Sequence, residues 1–392
     1  MQIPPRVAVM FLACAVSATV QAAPYVPVDG AQVVERLPSQ GNPAHKEIQR
    51  LRAALTASPE NQQLATTLAR RYIETGRRTG DPRYLGYAQA ALSPWWDRPR
   101  APNAVRILRA TILQSQHQFT EALADLDAVL GSDPTNTQAW LTRATILQVQ
   151  GQYEQAKKSC AQLQGRVPEL VAVTCIAGVD SLNGQEDHSY ALLDGALRKN
   201  DGADPAVKVW AMTLLAEMAE RQGKHAKAEH QYRQALALDS SDTYLLGAFA
   251  DFLLDRNQPA DVVTLLQKNT RADGLLLRYA LALKRQGSPD AGQHIDTLQS
   301  RFSAAALRGD IVHRREQARF ALHLRDDPAG ALQLALQNWS VQKEPADTRI
   351  LLEAAVANNA KAEARPVLAW LKQTGVQDRT LLELAAKLES TG

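Results

Sequence analysis

Pro134 and Pro168 stand 34 residues apart, and each closes a block in which two alanines twelve residues apart straddle a short polar break. A chain with this period is restricted to helix-turn-helix units stacked on copies of themselves, because one such unit cannot bury its apolar face alone. The pairs are Ala110 with Ala122 and Ala144 with Ala156, and the interval returns as Ala216 with Ala228, Ala250 with Val262, and Ala280 with Gly292. Small side chains on both members let two antiparallel helices approach closely.

One block shows the pattern. Between Ala139 and Pro168, Trp140, Ala144 and Leu147 share a helical face, and Gln150-Gly151 supplies a left-handed helix end. Tyr153, Ala156, Cys160 and Leu163 form the stripe of a second helix, which Pro168 stops. The block from Val209 to Asp242 repeats it with Leu215, Ala216, Ala219, Gly223, Ala228, Tyr232, Ala235 and Leu238. These positions resemble the tetratricopeptide repeat family and its W…LG…Y…G…Y…A…F…A…P pattern, with Arg143 where leucine is usual and Ser240 in place of the closing proline. The resemblance implies an all-α fold, an α-solenoid of helix-turn-helix repeats wound as a right-handed superhelix. Units are expected to start near Asn103, Thr137, Val171, Val209, Thr243, Asp273, Ile311 and Pro345. An earlier unit carries Leu68, Ala69, Tyr72 and Gly76, Ser93 to Arg100 is an insertion, and a helix over 378–388 caps the end.

With 45% hydrophobic residues, the composition is sufficient for a continuous core between stacked helices. A repeat array has no internal domain boundary, so residues 45–392 read as one solenoid with a C-terminal capping helix. A net charge of +3 does not argue for nucleic acid, and no internal apolar run is long enough to span a bilayer.

Residues 1–22 read as a cleaved signal peptide. Arg6 precedes the apolar run Val7 to Val20, and Val20-Gln21-Ala22 offers small residues before a cut after Ala22, or one residue later after Ala23. A lipoprotein signal on Cys14 is the rival, disfavoured because Phe11 stands where leucine is expected. Residues 23–44 form a polar, proline-containing extended lead. The mature chain is thus expected to be exported, to the periplasm if the source is a Gram-negative bacterium. Only Cys160 and Cys175 remain after cleavage, on neighbouring helices of adjacent repeats. They either form a disulfide pinning that junction or are two small buried side chains that never meet.

No constellation for chemistry is present. The histidines have no familiar zinc spacing, and no Walker loop, nucleophile elbow or dinucleotide fingerprint occurs, so neither enzyme activity nor a cofactor or metal is expected. Asp326-Asp327-Pro328 reads as a solvated helix cap.

Function is therefore expected on the surface. In the family the first helix of each unit lines the concave side, which on this sequence implies contacts from Arg70, Thr111, Gln114, Leu141, Thr145, Gln148, Thr213, Glu217, Glu220, Asp251 and Asp255, polar early and acidic later. The lysine, asparagine and arginine set with which some members clamp acidic chaperone tails is not assembled. A second feature is local: nine arginines and no lysine lie between Arg70 and Arg109 against three carboxylates, among them Arg77, Arg78, Arg98 and Arg100, interleaved with Tyr72, Tyr84, Tyr87, Trp95 and Trp96. Either this patch meets an anionic partner or the tyrosines pack internally beneath arginine-decorated helices. The expected function is an exported scaffold that binds a protein or peptide on its concave face for envelope-complex assembly. The alternative is an accessory subunit held through the arginine patch to an anionic lipid, glycan or transport system.

Overall fold

The computed structural model describes Asp29 and residues 43–390, and the expectations for the signal peptide, Cys14 and most of the lead lie outside them. The chain divides into two units, 1–47 and 48–392. Of the first, the described residues are Asp29 and the opening turn of α1 (Pro43–Ala57), which takes in the last two residues of the expected lead.

Every regular element among the described residues of the second unit is a helix. Nine antiparallel pairs follow one another: α2 (Gln62–Thr79) with α3 (Arg83–Ala91), and, after the short α4 (Ser93–Trp96), α5 (Asn103–Ser115) with α6 (Phe119–Ser132). Next come α7 (Thr137–Val149) with α8 (Tyr153–Ala161), α9 (Glu169–Ser181) with α10 (Glu186–Lys199), and α11 (Pro205–Arg221) with α12 (His225–Leu238). The later pairs are α13 (Thr243–Asp255) with α14 (Pro259–Leu266), α15 (Asp273–Arg285) with α16 (Ala291–Leu307), α17 (Arg314–Leu324) with α18 (Pro328–Trp339), and α19 (Pro345–Asn358) with α20 (Lys361–Thr374). α21 (Arg379–Ser390) ends the array and packs on α19. This is an α-solenoid of tetratricopeptide-type helix-turn-helix repeats, with the Ser93–Arg100 insertion partly wound into α4.

The repeats form for local reasons. Asn61, Asn136 and Asp242 accept hydrogen bonds from backbone amides in the first turns of α2, α7 and α13. The break between paired helices always holds a left-handed residue. Glycine does this at Gly80, Gly151, Gly184, Gly223 and Gly287, and His117, Asn257, Asp326 and Asn359 do it in the other four pairs. Asp327 then caps α18 by accepting from the Gly330 amide at 2.9 Å.

Within pairs, Ala110, Ala122, Ala144, Ala156, Ala216, Ala228, Ala250 and Val262 are all sealed from solvent. The expected pairing of Ala280 with Gly292 does not occur. Gly292 is exposed, and Ala291 at the start of α16 is buried in its place, because the turn before that helix shifts the register by one residue. Leu238, expected in a buried stripe, is exposed in the last turn of α12. Each fully buried leucine, such as Leu126, Leu170 or Leu215, contributes about 1.5–3 kcal/mol against exposure.

Candidate functional site

Later repeats fold back against the turns of earlier ones. The Lys343 amide donates to the Val149 carbonyl at 2.7 Å, and Gln342 Nε2 lies 3.3 Å from His117 Nδ1, across more than 190 residues. Trp370 of α20 sits against Tyr153 with ring centres 6.1 Å apart. Gly184 has no side chain to obstruct this approach, and a Cβ there would stand 3.3 Å from the Gly375 carbonyl oxygen. On another side, Thr243 Oγ1 at the start of α13 donates to the Arg77 carbonyl at 3.0 Å. These contacts turn the concave face into a cavity of ≈ 540 Å³, walled by first helices of successive pairs and by the N-terminus of α21.

The wall is charged and mostly self-matched. Asp251 receives Arg278 at 2.5 Å and Arg319 at 2.7 Å. Burial opposes its ionised form, but the two guanidinium groups outweigh that and hold the carboxyl down at about 2. Arg349 grips both oxygens of Asp255, with Nη2 to Oδ1 at 2.8 Å, and also Glu353 at 2.7 Å. Glu353 takes His323 Nε2 at 2.9 Å as well, and against the effect of burial these partners lower it to about 2. Arg315 serves Glu344 at 3.0 Å, Glu316 at 3.2 Å and the sealed Asp347 at 3.4 Å. Arg221 is held by the fully buried Glu186 at 2.6 Å and by Ser181 at 3.2 Å.

Glu217 and Glu220 differ. Each accepts from a tyrosine hydroxyl, Glu217 from Tyr244 at 2.6 Å and Glu220 from Tyr232 at 2.9 Å, and neither forms an ion pair among the described residues. Burial raises both carboxyls, Glu220 to about 8, with the nearby Asp255 and Asp251 adding to the rise while the Tyr232 hydroxyl opposes it.

Of the residues expected on the concave face, Gln148, Glu217, Glu220, Asp251 and Asp255 line this cavity. Thr111 and Thr213 do not: both are buried in the helix packing, with hydroxyls donating to the Ile107 and Val209 carbonyls. Thr145 is exposed and bonds back to the Leu141 carbonyl, while Leu141 packs partly buried on the α7–α9 core. Gln114 and Arg70 lie on α5 and α2 away from the cavity. Sequence reasoning stopped its lining at Asp255 and missed Arg278, Arg315, Arg319 and Arg349. Their place on the first helices α15, α17 and α19 was the available signal.

The arginine-rich segment is spread out. Arg70, Arg77 and Arg78 lie on α2 and Arg98 and Arg100 between α4 and α5, all exposed. Arg77 and Arg78 occupy the last turn of α2, which continues to Thr79. Of the other arginines there, Arg83 pairs with Asp81 at 2.7 Å and Arg109 with Asp125 at 2.6 Å. Tyr72, Tyr84 and Tyr87 pack on one another with ring centres 5.5–6.1 Å apart, and Trp95 is buried. Cys160 and Cys175 are joined by a disulfide between α8 and α9. Among the described residues no group of three metal-ligating side chains occurs, and no helix is long and apolar enough to cross a membrane.

The architecture is that of a helical-repeat protein with a cavity on the face that its first helices line. Two tetratricopeptide repeat models match the chain, at residues 113–171 and 211–242. No curated protein is similar to it in sequence. Among solved structures, a tetratricopeptide repeat protein from Parabacteroides merdae is 18% identical over 59% of this chain and 92% of its own, with a TM-score of 0.41. Human IFIT1, as a dimer with m7Gppp-AAAA, is 14% identical over 88% of this chain and 87% of its own, with a TM-score of 0.43. Yeast Tom70 is 12% identical over 89% and 92%, with a TM-score of 0.36.

Proposed function

We propose that the chain is an exported, non-enzymatic scaffold that takes a segment of a protein partner onto its concave face, in the periplasm of a Gram-negative host, for the assembly of an envelope complex. The observation that carries this reading is the cavity of ≈ 540 Å³ on that face, within the range of about 300–1,000 Å³ usual for binding pockets. Tyr244, two-thirds exposed, stands on its wall. The alternative, attachment to an anionic surface through the arginine patch, keeps Tyr87 as its one well-exposed ring, because Tyr72 and Trp95 are buried and Tyr84 and Trp96 are partly so.

A photo-crosslinking amino acid at position 244 tests the reading in the living host. Adducts to a protein partner are expected from position 244 and not from Leu192, which is exposed on the outer helix α10. Adducts from Leu192 alone would overturn it. Export is read separately from the N-terminal residue of the purified protein, expected to follow Ala22.

A further inference from the structure

Eight carboxylates and six arginines line the concave cavity. The arginines are already engaged. Arg278 and Arg319 share Asp251, Arg349 holds Asp255 and Glu353, Arg315 holds Glu316 and Glu344, Arg221 holds Glu186, and Arg285 donates to the Leu254 carbonyl. A carboxylate or phosphate entering here would find no free guanidinium and would add to an existing acidic surplus. The surplus has an address. Glu217 and Glu220 lie three residues apart, on the same face of α11, and each spends one oxygen on a tyrosine hydroxyl while the other takes no hydrogen bond among the described residues.

The surroundings suit a cation on a carbon stem. Tyr244, two-thirds exposed, lines the same cavity and holds its hydroxyl on Glu217, which puts an aromatic ring within reach of a positive group there. Leu214, Leu275 and Ala248 supply apolar wall for methylenes that lead to it.

We propose that Glu217 and Glu220 bind the ammonium or guanidinium head of a lysine or arginine side chain presented by the partner protein. This rests on the reading of the concave face as the partner site, and it names the chemistry of the segment recognised there.

The test uses the full mature chain and a fluorescein-labelled Gly-Ser peptide carrying three lysines, beside the same peptide with norleucine at those positions. Anisotropy at physiological salt is expected to show the lysine peptide binding at least tenfold more tightly. Glu217→Gln with Glu220→Gln should weaken the lysine peptide at least tenfold, while Glu121→Gln, at an exposed acid in the first turn of α6, should leave it unchanged. Circular dichroism checks that the double variant is folded. Should it fail that check, displacement of the lysine peptide from the wild-type chain by spermidine, but not by an equal ionic strength of sodium chloride, decides in its place. Equal affinity for the two peptides, or a folded double variant that binds as wild type does, would overturn the proposal. Crosslinking at position 244 separates this from the broader reading: adducts that persist without a lysine preference leave the concave partner site standing with a different chemistry, and loss of both removes the two together.

Discussion

Replacing Arg221 with methionine perturbs the most deeply buried ion pair of the array in a way whose size depends on pH. Glu186 at the start of α10 is sealed from solvent, and Arg221 Nε of α11 is 2.6 Å from its Oε1, while its other oxygen is buried without a hydrogen-bond partner. Burial raises the Glu186 carboxyl to about 7, with Arg221 pulling it back. A folded-state value raised above the ordinary one means that protonation stabilises the fold. That contribution is complete below the unfolded value and is lost as pH rises through about 7. Without Arg221 the folded value rises further, so the variant goes on losing stability above pH 7, where the wild type levels off.

At pH 8.5 the change strands a buried carboxylate and should cost about 3–5 kcal/mol. At pH 5.5 the acid is already neutral in the folded chain, and the loss should be about 1–2 kcal/mol of packing and hydrogen bonding. Urea unfolding at the two pH values measures both numbers. Adding Glu186→Gln to Arg221→Met should restore most of the loss at pH 8.5, since no buried charge is left unpaired. Equal destabilisation at both pH values, or a double variant no better than the single one, would refute the reasoning.

The other predictions concern packing and covalent ties. Ala228→Glu, at a position with no solvent exposure in the α11–α12 seam, should cost at least about 3 kcal/mol by overpacking and charge burial, and an unchanged urea midpoint would contradict that placement. Gly80→Ala puts a methyl 2.7 Å from the Ala272 Cβ at a φ of +63°, whereas Gly165→Ala has the same backbone handedness with open space around it; the first should be the more destabilising by about 1–2 kcal/mol, and equal losses would remove the close approach of α2 to the later repeats. Thiol labelling of the denatured, unreduced mature chain should find no free cysteine, and reduction should lower stability by up to about 3 kcal/mol, the value for a loop of this length, without loss of helical circular dichroism. Arg77→Glu with Arg78→Glu changes two exposed side chains and should shift stability by less than about 1 kcal/mol.

What the sequence revealed follows from which interactions are local. The alanine pairs, Gly151, Gly223 and the proline spacing describe one repeat and its nearest neighbour, which is all a solenoid needs to be recognised. The left-handed residues His117, Asn257, Asp326 and Asn359 were not singled out within their breaks because only glycine advertises that conformation, although asparagine and aspartate tolerate it too. The return of Gln342 to His117 and of Gly375 to Gly184 depends on how far each repeat rotates on the last, which no local period encodes. For the same reason Glu217 and Asp251 could be placed on the concave side as similar acids, while their difference could not be seen. Asp251 meets two arginines from α15 and α17, whereas the hydrogen bond that Glu217 accepts among the described residues comes from Tyr244.

Hydrogen exchange on the purified chain, alone and saturated with the partner recovered through position 244, addresses the concave face most directly. Slowed exchange is expected in α11, α13 and the first turn of α21, whose side chains line the cavity, with α14 and α16, which contribute nothing to its lining, unchanged. Protection confined to the outer helices or to residues 70–109 would contradict a concave binding site.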